Sequence, residues 1–250
     1  MRITSRYIAE NTTIGIVDFD NYLEDHDILN SETEFNQKIN EILSKMVDES
    51  TSYCLVRFYG GWYMDGTLSR IGSLIQQRIA TNRIFPLNKG GKNYHGQIEL
   101  ASSISILEGF TFENTYRIKN GLPNIRLDKQ HLNSHCSNSN DSCPARILDK
   151  FTRRKDKECA TNHCTVINQD AYKYSDQKMV DTMMALDIVD YGQNQNVNKI
   201  VLFSDDTDLV PSVLRSKIKD NKIKVVASQS SAIDMYTDLE NHFSTTLLIP

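Results

Sequence analysis

Two kinds of apolar pattern alternate along the chain. The first is a short, unbroken, largely β-branched run, as in Ile14-Gly15-Ile16-Val17 and Ile200-Val201-Leu202-Phe203. Such runs read as strands buried on both faces, which is how strands of a parallel sheet look. They predict strands over Ile14–Phe19, Tyr53–Tyr59 (closed by Gly60-Gly61), Lys199–Phe203 and Ile223–Ala227. The second pattern repeats every three to four residues. It predicts a helix over Ser31–Asp48, with Phe35, Ile39, Ile42, Leu43 and Met46 on one face and Ser31 with Glu34 as a capping box. Further helices are predicted over Leu68–Ile79, Ser175–Tyr191 (stripe Met179, Met183, Leu186, Val189), Asp208–Lys219 (Pro211 in its first turn) and Ala232–Glu240. Leu247–Ile249 reads as an edge strand. Strands alternating with helices predict an α/β domain with a parallel sheet and right-handed crossovers.

The middle of the chain breaks this rhythm. Lys89-Gly90-Gly91-Lys92-Asn93 marks a turn, and Gln97–Leu107 alternates in part, as a strand would. From Asn120 to His163 apolar runs are few, and Asn, Ser, Lys and Cys abound. Cys164–Asn168 reads as a short strand. The expected organisation is one domain over residues 1–250 with an insertion over residues 86–163.

Bulk properties narrow the classes. The 250 residues suffice for one large α/β domain. A net charge of −4 gives no global basic field, so any nucleic-acid contact must use a local patch. No apolar segment approaches the ~20 residues needed to span a bilayer. Met1–Thr13 is polar and lacks the apolar core of a signal peptide, so a cytoplasmic location is expected. The 5 cysteines are not expected to form disulfides in a reducing compartment.

The chemistry gathers where two of the strands end. Ile14–Val17 runs into Asp18-Phe19-Asp20-Asn21, and Ile200–Phe203 runs into Ser204-Asp205-Asp206-Thr207-Asp208. Like charges repel, and a divalent cation between them relieves the repulsion. If the two strands are neighbours where strand order reverses, Asp18, Asp20, Asp206 and Asp208 converge at the sheet's ligand-binding edge. Lys178 and Asp181, three apart, would share one face of the helix starting at Ser175. Hard oxygen donors of this kind suit Mg²⁺ or Mn²⁺, which activate water and neutralise a phosphoryl oxygen. The competing reading is a set of helix N-caps, with Asp206 or Asp208 capping the helix that follows and Asp20 stabilising a turn.

Three motifs carry a family resemblance: Asp18 with Asn21; Lys178 with Asp181 and, six residues on, Asp187; and Ser204, Asp206, Asp208 and Pro211. Together they resemble the NYN domain of the PIN-like nuclease superfamily, over roughly residues 12–60 and 164–240. The resemblance implies a Rossmann-like three-layer PIN fold, a divalent metal and endonucleolytic cleavage, usually of RNA. By motif position Asp18, Asp181, Asp206 and Asp208 would bind the metal, Asn21 would position substrate or a metal-bound water, and Lys178 would contact a phosphate. PIN-like domains often pair, so a homodimer is within what the resemblance implies. The family usually has Gly where this chain has Asp205, which would supply an extra carboxylate or point to solvent. Asp187 reads equally as a polar anchor outside the metal site.

Other clusters carry two readings each. Cys136, Cys143, Cys159 and Cys164 could hold a structural Zn²⁺ that folds the insertion, or be loop thiols. Arg146, Lys150, Arg153, Arg154, Lys155 and Lys157 form the densest basic run, either a guide for a polyanion or a solvated face. Lys89 and Lys92 would add phosphate contacts or merely flank a hairpin turn. Tyr59, Trp62 and Tyr63 are candidates for base stacking or for the core. The expected function is metal-dependent RNA cleavage. The alternatives are a phosphatase using Asp18-Phe19-Asp20 with Lys178 and Asp205-Asp206, or a non-catalytic RNA- or protein-binding module.

Overall fold

Strands β1 (Thr12–Asp18) and β2 (Tyr53–Tyr59) form where the apolar runs predict them. Short strands β3 (Tyr63–Met64) and β4 (Thr67–Leu68) pair with each other. The others of the main sheet are β5 (Leu87–Lys89), β6 (Lys92–Leu100), β9 (Val197–Phe203) and β10 (Ile223–Val226). Strands β7 (Tyr116–Asn120) and β8 (Lys173–Gln177) make a separate two-stranded sheet. This computed structural model describes residues 6–23, 31–82, 84–107, 109–122, 143–153, 156–159, 163–217, 223–243 and 246–249.

The main sheet has the order β10-β9-β1-β2-β6-β5 and is parallel except for β5, which pairs antiparallel with β6. Gly90 and Gly91, both at positive φ, make the β5–β6 turn. The expected insertion began at residue 86, but β5 and β6 belong to the main sheet. The chain divides into one unit of Met1–Tyr116 with Gln177–Pro250 and a second of Arg117–Asp176.

Helices α1 (Phe19–Tyr22), α2 (Glu32–Met46) and α3 (Arg70–Thr81) follow β1, α1 and β4. Ser31 Oγ accepts the Glu34 N–H at 3.3 Å, the cap that the sequence announced. Helices α4 (Pro144–Thr152) and α5 (Asn168–Ala171) lie in the second unit. Helices α6 (Val180–Gln193), α7 (Val210–Lys217) and α8 (Ser230–Phe243) complete the first.

The sheet's two faces bury different residues of the same strands. Ile14, Ile16, Leu55, Ile200 and Leu202 pack with Met183, Met184, Ile188 and Tyr191 of α6, Val213 of α7 and Tyr236 of α8. Val17, Cys54, Val56, Phe58, Val201 and Phe203 pack with Phe35, Ile39, Ile42, Leu43 and Met46 of α2 and Ile75 of α3. Each fully buried Ile, Leu or Phe contributes about 1.5–3 kcal/mol. The result is a mixed α/β fold with a mostly parallel sheet between helical layers. Gly192 lets α6 and α7 approach closely: a Cβ there would lie 2.7 Å from that of Ser216.

One charged network crosses the first face. Arg57 sits in the middle of β2, 1% exposed, and forms an ion pair with Asp187 of α6, which is fully buried. The Tyr59 hydroxyl donates to the same carboxylate, and the Ser105 N–H donates to its other oxygen at 2.6 Å. Arg57 also donates to Glu99 at 2.9 Å and to the Ser103 carbonyl at 2.6 Å. Burial depresses the Arg57 guanidinium, but Tyr59, Tyr191, Asp187 and Glu99 outweigh it and hold the charge firmly in place. Asp187 is thus a structural anchor.

Elsewhere the elements differ from expectation in four places. The strand expected over Gln97–Leu107 runs instead over Lys92–Leu100, and Ser105–Leu107 is a 3-10 turn. The helix predicted from Ser175 starts at Val180, because residues 173–177 pair as β8. The strand predicted over Cys164–Asn168 reduces to a single bridge from Ile167 to Glu158, after which α5 begins. The edge strand at Leu247–Ile249 reduces to a bridge between Leu248 and Val225. In the second unit, buried Asn168 accepts the Leu122 N–H at 2.9 Å, and Arg117 and Lys119 both pair with Asp176. Among the described residues no helix is long and apolar enough to cross a membrane.

Removing one member of a buried pair strands the other charge. Asp187→Ala should cost about 3–5 kcal/mol, measured by urea unfolding. A loss below about 1 kcal/mol would show that Arg57 finds another partner or reaches water.

Candidate active site

Strand order places the site. From β1 the chain goes to β2 on one side, while β9 lies on the other, so order reverses between β1 and β9. That reversal opens a crevice at the carboxyl ends of the two strands. Val17 is paired with Phe203, so Asp18 and Ser204 leave the sheet at the same level. The two acidic strand ends are therefore neighbours.

Asp18 is 4% exposed at the end of β1. Its carboxylate caps α1, accepting the Asn21 backbone N–H at 3.3 Å and the Asn21 side-chain amide at 2.8 Å. The Ser204 hydroxyl donates to it at 2.8 Å, a clasp between the two strand ends. Asp206 follows, half-buried, and accepts the Asp208 N–H at 2.8 Å, capping a 3-10 turn over Thr207–Leu209. Asp208 is exposed in that turn. Asp181 is exposed in the first turn of α6, where the helix dipole favours an anion.

The four acids act on one another. Burial raises the pKa of Asp181, and repulsion from Asp206, Asp18 and Asp208 raises it further. Burial likewise raises Asp18; the Asn21 and Ser204 hydrogen bonds oppose this, and Asp206 adds to it. The structure thus brings Asp18, Asp181, Asp206 and Asp208 into one electrostatic neighbourhood. Yet among the described residues no three His, Cys, Asp or Glu side chains already form a ligand group for a metal ion. The reason is local: Asp18 is turned to Asn21 and Ser204, and Asp206 to the Asp208 amide. Asp18 and Asp206 serve as N-caps, Asp18 of α1 and Asp206 of the 3-10 turn. Hard carboxylate oxygens gathered at one strand end fit Mg²⁺ or Mn²⁺ in donor chemistry.

Asp205, the residue that departs from the resembled pattern, has a different job. Its carboxylate accepts the Ser228 and Gln229 N–H groups at 2.6 and 2.8 Å, and the Ser228 hydroxyl. It ties the β9 end to the start of α8. Asp20 is half-buried within α1.

Lys178 is exposed but precedes α6, so it does not share a helix face with Asp181. Its N–H donates to the Thr115 carbonyl, and Met179 then turns the chain into the helix at φ 67°. Tyr59 and Trp62 are buried, the Tyr59 hydroxyl held by Asp187 and the Trp62 indole N–H by the Phe58 carbonyl at 2.8 Å. Neither ring is offered for base stacking.

Arg153 is exposed at the end of α4 and pairs with Asp149 at 2.6 Å. Arg154, Lys155 and Cys136 lie outside the described residues. Cys143 occupies the N-cap of α4, and the Cys159 N–H donates to the Val166 carbonyl at 2.9 Å. Cys143, Cys159 and Cys164 are half-buried and do not form a three-ligand group among the described residues. Sequence reasoning missed Arg57; its signal was a charge inside the run Leu55-Val56-Arg57-Phe58-Tyr59, two residues from Leu55 and Tyr59 and hence on their face.

The family model of the NYN domain matches residues 140–246. Over this stretch, less than half of the chain, the protein is similar to the NYN domain. The match includes Lys178, Asp181, Asp187, Ser204, Asp206, Asp208 and Pro211; Asp18 and Asn21 lie before it. The NYN domain belongs to the PIN-like nuclease superfamily, and NYN domains are generally nucleases. No curated protein and no solved structure matches the chain.

The raised pKa values set a sign. Between the ordinary Asp value near 3.8 and the raised values, the folded protein binds more protons than the unfolded chain. Stability from these acids is therefore present at low pH and lost as pH rises through their folded pKa values. In EDTA, Asp181→Asn should raise stability at pH 7, read by melting temperature, by less than about 1 kcal/mol because the group is exposed. The gain should shrink toward pH 4; a loss at pH 7 would sink the repulsion argument. Asp205→Gly should cost on the order of 1 kcal/mol, as loss of a cap does, read by urea unfolding. An unchanged midpoint would show that the Ser228 and Gln229 contacts are idle.

Proposed function

We propose that the protein is a divalent-metal-dependent endoribonuclease, with the carboxylates at the β1 and β9 ends as its active site. The observation that carries this reading is the gathering of Asp18, Asp206 and Asp208 at the clasped ends of β1 and β9, with Asp181 opening the helix packed beside them. Three of the four lie within the NYN match. Like charges held together in a crevice cost stability, and that cost is expected at functional sites.

Asp18, Asp181, Asp206 and Asp208 would hold Mg²⁺ or Mn²⁺, which supplies charge neutralisation on a phosphoryl oxygen and an acidified water. Asn21, hydrogen-bonded to Asp18, orients the water or the substrate. Lys178 contacts a phosphate. Hydrolysis adds water oxygen to phosphorus and breaks the P–O3′ bond, leaving a 5′-phosphate and a 3′-hydroxyl that takes up a proton. Arg153, Arg154 and Lys155 draw RNA, single-stranded or structured, by charge. We place this activity in the cytoplasm. The phosphatase alternative needs Asp18 as an unencumbered nucleophile, whereas both its oxygens accept hydrogen bonds.

The test is cleavage of end-labelled single-stranded and structured RNA with Mg²⁺, Mn²⁺ or EDTA. Metal-dependent cutting is expected, reduced roughly 100-fold or more by Asp206→Asn with the fold intact. Cutting retained in that variant would remove Asp206 from the mechanism. RNA binding without cutting would make the protein a binding module. Activity on a phosphomonoester alone would make it a phosphatase.

A further inference from the structure

Tyr236 lies in the second turn of α8 and is fully buried. Its ring belongs to the buried cluster that also holds Leu209, Val210 and Val213, the residues just after the Asp206–Asp208 turn. Its hydroxyl has no hydrogen-bond partner among the described residues. A buried hydroxyl left unpaired costs about 1–3 kcal/mol, so its retention in one state points to a partner in another.

Two features of α8 direct this side chain toward the acidic end of the sheet. Helical side chains lean toward the helix N-terminus. Asp205 clamps that N-terminus to the end of β9 through Ser228 and Gln229. Burial first, and then the neighbouring Asp206 carboxylate, push the phenol pKa up, which keeps it a proton donor. Asp206 has the complementary vacancy in its bonding. Its Oδ1 accepts the Asp208 N–H, while its Oδ2 accepts no hydrogen bond among the described residues. A donor without an acceptor thus lies within electrostatic reach of an acceptor without a donor.

We infer that Tyr236 is a positioning residue for Asp206: its hydroxyl donates to Asp206 Oδ2 when the carboxylate turns to ligate a divalent cation, and fixes that orientation. The inference rests on the metal-site reading above. Partners that orient a ligating carboxylate typically change metal affinity 10–100-fold when removed.

The experiment is Mn²⁺ titration calorimetry on the RNA-free protein, comparing wild type, Tyr236→Phe and Asp206→Asn, with melting temperatures taken in EDTA. Wild type should bind Mn²⁺, and Asp206→Asn should bind it much more weakly. Tyr236→Phe should bind roughly 10-fold more weakly than wild type. Its melting temperature in EDTA should be unchanged or higher, because only an unpaired hydroxyl is lost. Equal Mn²⁺ affinity in Tyr236→Phe would overturn the positioning role and leave the metal site standing. A lower melting temperature in EDTA would also overturn it, by showing that the hydroxyl is already paired without metal. No Mn²⁺ binding by wild type, or undiminished binding by Asp206→Asn, would overturn the metal-site reading itself.

Discussion

The buried ion pair between Arg57 and Asp187 governs how α6 sits on the sheet. A charge in the middle of a central strand is tolerated only when its partners leave no donor stranded. Asp187, Glu99, Ser103 and Tyr59 satisfy Arg57 from three separate parts of the chain. The pair therefore fixes α6 in both height and rotation against β2. Asp181 lies six residues earlier on that helix, so the anchor sets where this exposed acid stands. The motif thus divides its labour: Asp187 holds the helix, and Asp181 faces the crevice end.

A second constraint is the repulsion that the anchor helps maintain. Two strand ends and one helix start deliver carboxylates to one place, and local hydrogen bonds hold two of them, Asp18 and Asp206, in position. Ser204 and Asn21 hold Asp18, the Asp208 amide holds Asp206, and Asp205 clamps α8 behind them. Asp205, which stands where the resembled pattern has Gly, strengthens the frame and adds nothing to the cluster. Its carboxylate is consumed by three donors from the β10–α8 connection.

Much of this was legible in the sequence, and for identifiable reasons. The short apolar runs around Ile14, Leu55, Ile200 and Val225 read as strands because such runs suit a doubly covered sheet. Ser31 with Glu34 marked the start of α2, and the spacing of Phe35, Ile39 and Ile42 its buried face. The acidic strand ends pointed to the crevice before any strand order was known. Illegible were features that depend on pairing. Residues 173–177 have helix-compatible composition but join β7, which shortens α6 and separates Lys178 from Asp181. Residues 87–100 looked like the start of an insertion, and only pairing with β2 made β6 part of the main sheet.

The sequence alone determined which residues could be strands, where carboxylates would be released, and the resemblance to NYN domains. These are local properties: burial pattern, caps and motif spacing act within a few residues of chain. Tertiary structure decided which charges meet. It paired β1 with β9, matched Arg57 with an aspartate 130 residues away, and buried Tyr59 and Trp62 away from any substrate. It also buried the Tyr236 hydroxyl with no hydrogen-bond partner among the described residues. Contacts between distant segments depend on strand order and helix docking, which no local pattern encodes.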